Sequence, residues 1–245
     1  MKAMIFAAGL GTRFKPWTDH HPKALARVNG KSLLQRNIEY LQRYGIREVV
    51  VNMHHFADQI IEAVHAAGGW GSKVLISDER DQVLETGGGL LKAAELLGDD
   101  PFITINADVL TDLDLNALIE FHGKEQALIS FGITDRKSTR NFLFDASGRL
   151  QGWVNLQSRQ FRFPEGSSFT SENALNLLVA RAYSTVVVFS PRIFSMIRQR
   201  GKFSLVDVYL DLAAEHRIMG FDHSGDRFVD VGKPESVAIA ESLFP

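Results

Sequence analysis

Arg13 and Lys23 are the residues of this chain best suited to chemistry on a phosphate. They stand ten positions apart, and both follow the apolar run Lys2–Ala8 and the turn Gly9-Leu10-Gly11-Thr12. Two glycines directly after a buried strand let the backbone turn tightly and come close to a ligand. The N–H groups of such a turn suit a polyphosphate. Arg13 and Lys23 add the fixed positive charge that a reacting phosphate needs. The combination points to an enzyme that handles nucleotides.

Two common phosphate loops do not fit. A dinucleotide-binding turn needs a third small residue at its sixth position, facing the helix it opens; here that position is Phe14, and Pro16 follows. A Walker A loop ends in Gly-Lys-Ser/Thr. Gly30-Lys31-Ser32 occurs, but Leu25 stands where its first glycine belongs. Ser32 with Gln35 reads instead as a capping box for the next helix.

The segment resembles the signature of the sugar nucleotidyltransferases, Ala-Ala-Gly-x-Gly-Thr-Arg-Leu-x-Pro-Leu-Thr followed by Pro-Lys-Ala/Pro-Leu. Here it reads Ala7-Ala8-Gly9-Leu10-Gly11-Thr12-Arg13-Phe14-Lys15-Pro16-Trp17-Thr18, then Pro22-Lys23-Ala24-Leu25. Only the aromatic residues Phe14 and Trp17 differ, and both stay apolar. Glu85-Thr86-Gly87-Gly88-Gly89, Asn106-Ala107-Asp108 and Asp230-Val231-Gly232-Lys233-Pro234-Glu235 follow in the family's order. The resemblance thus spans nearly the whole chain.

That resemblance implies attack by a sugar 1-phosphate oxygen on the α-phosphorus of a nucleoside triphosphate, with release of pyrophosphate. Both reactants are polyanions, so positioning and neutralisation are the expected remedies. Arg13 is expected at the β- and γ-phosphates and Lys23 at the α-phosphate. Gly9, Gly11, Thr12, Glu85, Thr86 and Gly87 are expected around the nucleotide, with the glycine-rich loop reading the base edge. Asn106 and Asn155 are candidates for the sugar. Asp108 and Asp230 are the expected Mg²⁺ ligands, since a hard cation prefers carboxylate and phosphate oxygens. Spacing alone reads Asp230 as a turn residue; the resemblance makes it a ligand.

Within the family, the Glu-Thr-Gly-Gly-Gly loop, the short length and Asn106 look most like the uridylyltransferases of cell-wall recycling that use N-acetylmuramate 1-phosphate. Mannose- or heptose-1-phosphate guanylyltransferases are the nearest alternatives, and a non-catalytic nucleotide-sugar regulator is another. Two departures bear on the sugar. Thr185 occupies the place of a family glycine, and Gly152-Trp153-Val154-Asn155 lacks the lysine of a Glu-Lys-Pro motif that holds the sugar phosphate. Arg159 or Arg162 are its candidate substitutes.

Bulk properties agree with a small-molecule enzyme. The 245 residues carry 27 lysines and arginines against 29 acids, a net charge of −2, which makes no broad case for nucleic acid or an anionic membrane. There is no cysteine, so disulfides and thiolate metal sites are excluded. No apolar run approaches the ~20 residues of a membrane span, and a core strand in place of a signal peptide points to the cytoplasm. The oligomeric state is left open.

The elements that must position these residues alternate. Lys2–Ala8, Glu48–Asn52, Val74–Ser77, Phe102–Asn106 and Ala127–Gly132 read as buried strands. Leu34, Ile38 and Leu41 recur at helical spacing, as do Ile60, Ile61 and Val64, and Leu90, Leu91 and Ala94. This predicts an α/β, Rossmann-like, mostly parallel sheet with helices on both faces. Ligands in such sheets gather at strand carboxyl ends, where Gly9, Glu85–Gly89 and Asn106–Asp108 all fall. Asn141–Phe144 and Leu150–Val154 read as a hairpin, Asn155–Glu172 as a long loop or flap, and Ala180–Phe189 as a strong strand. The chain reads as one domain, residues 1–245, with a nucleotide-binding half (1–133) and a sugar-binding half (134–245).

Overall fold

A computed structural model describes every residue from Met1 to Pro245. In chain order the first half holds β1 (Lys2–Phe6), the short pair β2 (Arg27–Val28) and β3 (Lys31–Ser32), α1 (Leu33–Arg43), β4 (Glu48–Met53), α2 (Ala57–Ala66), β5 (Lys73–Asp78), α3 (Glu85–Lys92), α4 (Ala94–Leu97), β6 (Phe102–Asn106), β7 (Val109–Thr111) and α5 (Leu115–Lys124). The second half holds β8 (Ile129–Thr134), β9 (Arg140–Phe144), β10 (Leu150–Asn155), β11 (Gln160–Arg162), α6 (Ala174–Leu177), β12 (Val179–Phe189), α7 (Ile193–Met196), α8 (Leu205–Ala213), β13 (Ile218–Asp222), β14 (Phe228–Asp230) and α9 (Glu235–Leu243).

One ten-stranded mixed sheet runs through both halves in the order β11-β10-β9-β12-β6-β1-β4-β5, with β8 also beside β12 and β13 beside β8. The β6-β1-β4-β5 block is parallel. β12 is antiparallel to β6, β8 and β9. Alternating side chains bury both faces. Ala3, Ile5, Val49, Val51, Ile103 and Ile105 pack under α1, α2 and α5, while Met4, Val50, Phe102, Phe131, Phe189 and Tyr209 pack on the α3 and α8 side. This is the period-2 pattern of strands covered on both sides.

Ser32 caps α1 through a hydrogen bond from the Gln35 N–H (3.0 Å). The Gln35 side chain turns to Glu39 rather than back to the cap, so half of the expected box is formed. The stretch Asn155–Glu172 is not wholly a loop, because β11 extends the β9–β10 hairpin and pairs Gln160–Arg162 with β10. Phe161 and Phe163 in it pack against Leu143, Val154 and Leu178. Burial of those rings ties down a segment whose composition reads as polar.

β12 changes partners part-way along. Val187–Phe189 pair with β6, whereas Val179–Arg181 pair with β9. Between them the register to β8 shifts from Tyr183↔Ile133 to Val187↔Phe131, a bulge of extra residues on β12. Thr185 sits inside it with φ +62°.

Candidate active site

The exit of β1 is pinned before the first glycine. The Ala7 N–H donates to Asn52 Oδ1 (2.8 Å), and Asn52 Nδ2 donates to Glu79 Oε1 (2.7 Å). Glu79 is only 1% exposed, and burial pushes its carboxyl above the usual range. The turn itself has the expected shape. Gly11 has φ +62°, and a Cβ there would lie 2.8 Å from Thr18 Cγ2. Thr18 Oγ1 and the Phe14 N–H both donate to the Gly11 carbonyl. A Cβ on Gly9 would meet no atom within 4 Å, so that face of the loop is open for a ligand.

Lys23 opens a short 3-10 turn after Pro22 and places Nζ 2.5 Å from Asp108 Oδ2. Asp108 lies in the step from β6 to β7, where buried Asn37 of α1 donates to the neighbouring Ala107 carbonyl (3.0 Å). The small antiparallel pair β7–β14 sets Asp230 opposite Val109, and the Val231 N–H donates to the Asp108 carbonyl (2.8 Å). Two carboxylates 122 positions apart in sequence thus become neighbours. Burial first, and then the charge of Asp108, hold the Asp230 carboxyl above its usual range, against the opposing pull of Lys23, Arg13 and Arg136. Arg13 reaches the same spot: a Cβ on Gly232 would lie 2.8 Å from Asp230 Oδ1 and 3.1 Å from Arg13 Nη2.

Asp108 and Asp230 form an oxygen donor set that fits Mg²⁺. Protein side chains make no cluster of three or more candidate ligands here. A pair of carboxylates is what Mg²⁺ uses when substrate phosphate and water complete its octahedron. Repulsion between the two acids is what a divalent cation would relieve.

The cluster lines two hollows. The smaller, about 150 Å³, is lined by Phe6, Gly9, Lys23, Thr86, Asn106 and Asp108 among others. The larger, about 670 Å³, is lined by Arg13, Arg136, Arg140, Trp153, Asn155, Thr185 and Asp230 among others. Lys23 and Asp108 face one and Arg13 and Asp230 the other. A further hollow of about 760 Å³ between residues 163–166, α7 and α8 contains none of the motif residues.

The glycine-rich segment does something other than expected. The helix α3 begins at Glu85, so all three glycines lie inside its first turns. The N–H groups of Gly87 and Gly88 are both donated to the Phe203 carbonyl (2.9 and 3.3 Å). A Cβ on Gly87 would lie 2.3 Å from the Phe203 ring, and one on Gly88 would lie 2.1 Å from the Gly201 carbonyl oxygen. These glycines seat α3 against residues 201–203, and those two N–H groups are committed there rather than to a base edge. Glu85 turns to Lys202 (3.5 Å). Of Glu85, Thr86 and Gly87, only Thr86 lines either hollow.

Asn106 ends β6 at the smaller hollow, and Asn155 ends β10 at the larger one. The Asn155 Oδ1 already accepts from the Gln157 and Ser158 N–H groups, leaving its Nδ2 for a ligand. Arg162 is paired with Asp207 (2.6 Å), and Arg159 lines neither hollow, so neither occupies the place of the missing lysine. Arg136 and Arg140 line the larger hollow instead. Neither belongs to a motif. Their only mark in the sequence is a basic stretch, Arg136-Lys137-Ser138-Thr139-Arg140, between two strands. Asn52, which pins the glycine turn after β1, carries no signal beyond being a polar residue in an apolar strand.

Residues 2–143 match the family model described as nucleotidyl transferase. An N-acetylmuramate alpha-1-phosphate uridylyltransferase of Caulobacter vibrioides is 31% identical, over 98% of this chain and 95% of that protein. A mannose-1-phosphate guanylyltransferase catalytic subunit beta of Xenopus tropicalis is 27% identical, over 96% of this chain and 62% of its own length. Among solved structures, HddC from Yersinia pseudotuberculosis complexed with GMP-PN superposes with a TM-score of 0.78 at 24% identity, covering 100% of this chain and 99% of that one.

Proposed function

Because the chain belongs to the nucleotidyl transferase family, we propose that it transfers a uridylyl group from UTP to N-acetylmuramate 1-phosphate, with release of pyrophosphate. The observation that carries this reading is the Lys23–Asp108–Asp230–Arg13 cluster, which lines both hollows. The smaller hollow takes the nucleotide and the larger one the sugar phosphate. Arg13, which faces the larger hollow, neutralises the β- and γ-phosphates where the triphosphate extends beyond the smaller one. Lys23 serves the α-phosphate, where charge builds as the sugar phosphate oxygen attacks. Asp108 and Asp230 hold Mg²⁺, which supplies further neutralisation of the triphosphate. Asn106 and Asn155 offer hydrogen bonds to the sugar. Residues 1–133 supply the nucleotide side and 134–245 the sugar side. On this reading the enzyme acts in the cytoplasm.

Uridine is favoured by the 31% relative, which matches along nearly its whole length. The 27% guanylyltransferase relative supports GTP with mannose 1-phosphate as the second reading. The test is a matrix of four nucleoside triphosphates against several sugar 1-phosphates with Mg²⁺, read by pyrophosphate formation. UTP with N-acetylmuramate 1-phosphate should give the highest specificity constant. Equal or better use of GTP would overturn the uridylyl assignment. No pyrophosphate with any pair would leave a non-catalytic nucleotide-sugar binder.

A further inference from the structure

The Arg136 guanidinium is half-buried, and its one hydrogen bond to protein runs from Nη2 to the Tyr183 carbonyl (2.8 Å). It stands 4.6 Å from the centre of the Phe228 ring. Its Nε is buried without an acceptor. Asp230 is close enough for its charge to be felt, without an ion pair between the two. A partly desolvated cation without an ion-pair partner is costly, and an anionic ligand is its natural complement. Arg136 faces the larger hollow together with Arg13 and Asp230, at the end where the two carboxylates converge.

Its placement depends on the irregularity in β12. Tyr183 is the last residue to pair regularly with β8 before the bulge, and Thr185 turns the strand with φ +62°. The bulge is held by a buried hydrogen bond between Ser184 Oγ and His223 Nε2 (2.7 Å). The Tyr183 carbonyl at its edge then fixes Arg136, which follows the end of β8.

Resting on the reading of the larger hollow as the sugar-phosphate side, we infer that Arg136 holds the phosphate of the sugar 1-phosphate and that the β12 bulge aims it. It fills the role left open by the missing lysine from a different strand connection. A planar guanidinium suits this task because it can meet two phosphate oxygens at once.

Arg136→Met keeps an unbranched stem of similar reach and removes the charge. It should raise KM for the sugar 1-phosphate by about 10- to 100-fold, the loss expected for charged hydrogen bonds, and leave KM for the triphosphate within about 3-fold. Arg136→Lys, which keeps the charge without the fork, should recover part of that loss. Ser184→Ala removes the hydrogen bond that holds the bulge and should raise the sugar 1-phosphate KM by about 3- to 10-fold, with the triphosphate KM kept within about 3-fold. The inference is overturned if Arg136→Met leaves that KM unchanged, or raises both KM values together with a fall in Tm. An unchanged sugar 1-phosphate KM in Ser184→Ala would overturn the role of the bulge. If no substrate pair turns over, the proposed reaction fails, and calorimetric titration of N-acetylmuramate 1-phosphate in the presence of a non-reacting UTP analogue still decides. Weaker binding by Arg136→Met supports the inference; equal affinity, or no binding by the unaltered protein, overturns it.

Discussion

Thr185 is a β-branched residue in a backbone conformation suited to glycine, and its Oγ1 is buried without a partner. A non-glycine residue held there costs about 1–3 kcal/mol. Replacing it by glycine returns part of that, reduced by the greater freedom glycine gives the unfolded chain. Thr185→Gly should therefore stabilise the protein by about 1 kcal/mol, a rise in Tm of roughly 2–4 °C for a chain of this size. A lower Tm would mean that methyl packing outweighs the strain. Nothing in the structure explains why threonine stands there instead of glycine. Lys23 is a different case, a charge matched to a site. Lys23→Ala should cut kcat by about two to three decades, since one electrostatic contact at the reacting phosphorus is worth roughly 3–4 kcal/mol. A rise in KM alone, with kcat intact, would show that Lys23 binds substrate and transition state equally.

At the scale of elements, two glycines make a contrast. Gly88→Ala must push α3 away from the Gly201 carbonyl, because a Cβ would lie 2.1 Å from that oxygen. Overpacking of this kind costs about 1–3 kcal/mol, and Thr86 would move with the helix, so both Tm and activity should fall. Gly9→Ala meets nothing in the protein. It should leave Tm within about 2 °C while weakening triphosphate binding, if a ligand approaches the loop there. Unchanged nucleotide affinity in Gly9→Ala would remove that glycine from the site.

The α5–β8 contact carries a pH dependence. His122 is buried against Ser130 Oγ (3.0 Å), and burial lowers its pKa from 6.5 to about 4. The unfolded chain takes up this proton near pH 6.5, whereas the folded chain resists until about pH 4. Stability is therefore complete above pH 6.5 and declines as the pH falls toward 4, by roughly 3 kcal/mol across the window. Denaturant unfolding between pH 4.5 and 7.5 should show that slope, and His122→Asn should flatten it. Equal slopes in both proteins would assign the acid sensitivity to other groups.

Across the whole molecule the two halves share one sheet, and β12 is the strand that joins them by pairing with β6 on one stretch and β9 on another. The aromatic cluster of Phe131, Phe142, Tyr183 and Tyr209 gathers side chains from four elements of the second half against Phe189 at the end of that strand. Neither half can lose its structure without exposing the core of the other. Calorimetry should therefore show one cooperative transition with equal calorimetric and van't Hoff enthalpies. Two resolved transitions would divide the chain into separate folding units.

How far the sequence reaches follows from the range over which each feature is encoded. Strand alternation, helical spacing and the Gly9–Lys23 motif are local patterns. They specify the α/β sheet, the glycine turn after β1 with Lys23 downstream of it, and the places of Asn106 and Asp108 at the end of β6. Features that depend on contacts between distant segments are decided only by packing. The β7–β14 pairing makes Asp230 a neighbour of Asp108. Residues 201–203 claim the glycine N–H groups that read in sequence as free for a base. Half-buried phenylalanines pull β11 out of a polar loop, and a carbonyl 47 positions away, at Tyr183, fixes Arg136 of a surface-looking basic stretch in the lining of the larger hollow. Hydrophobic periodicity tells each segment which face to bury, but it carries no address for the partner that a carbonyl, a carboxylate or a guanidinium will meet.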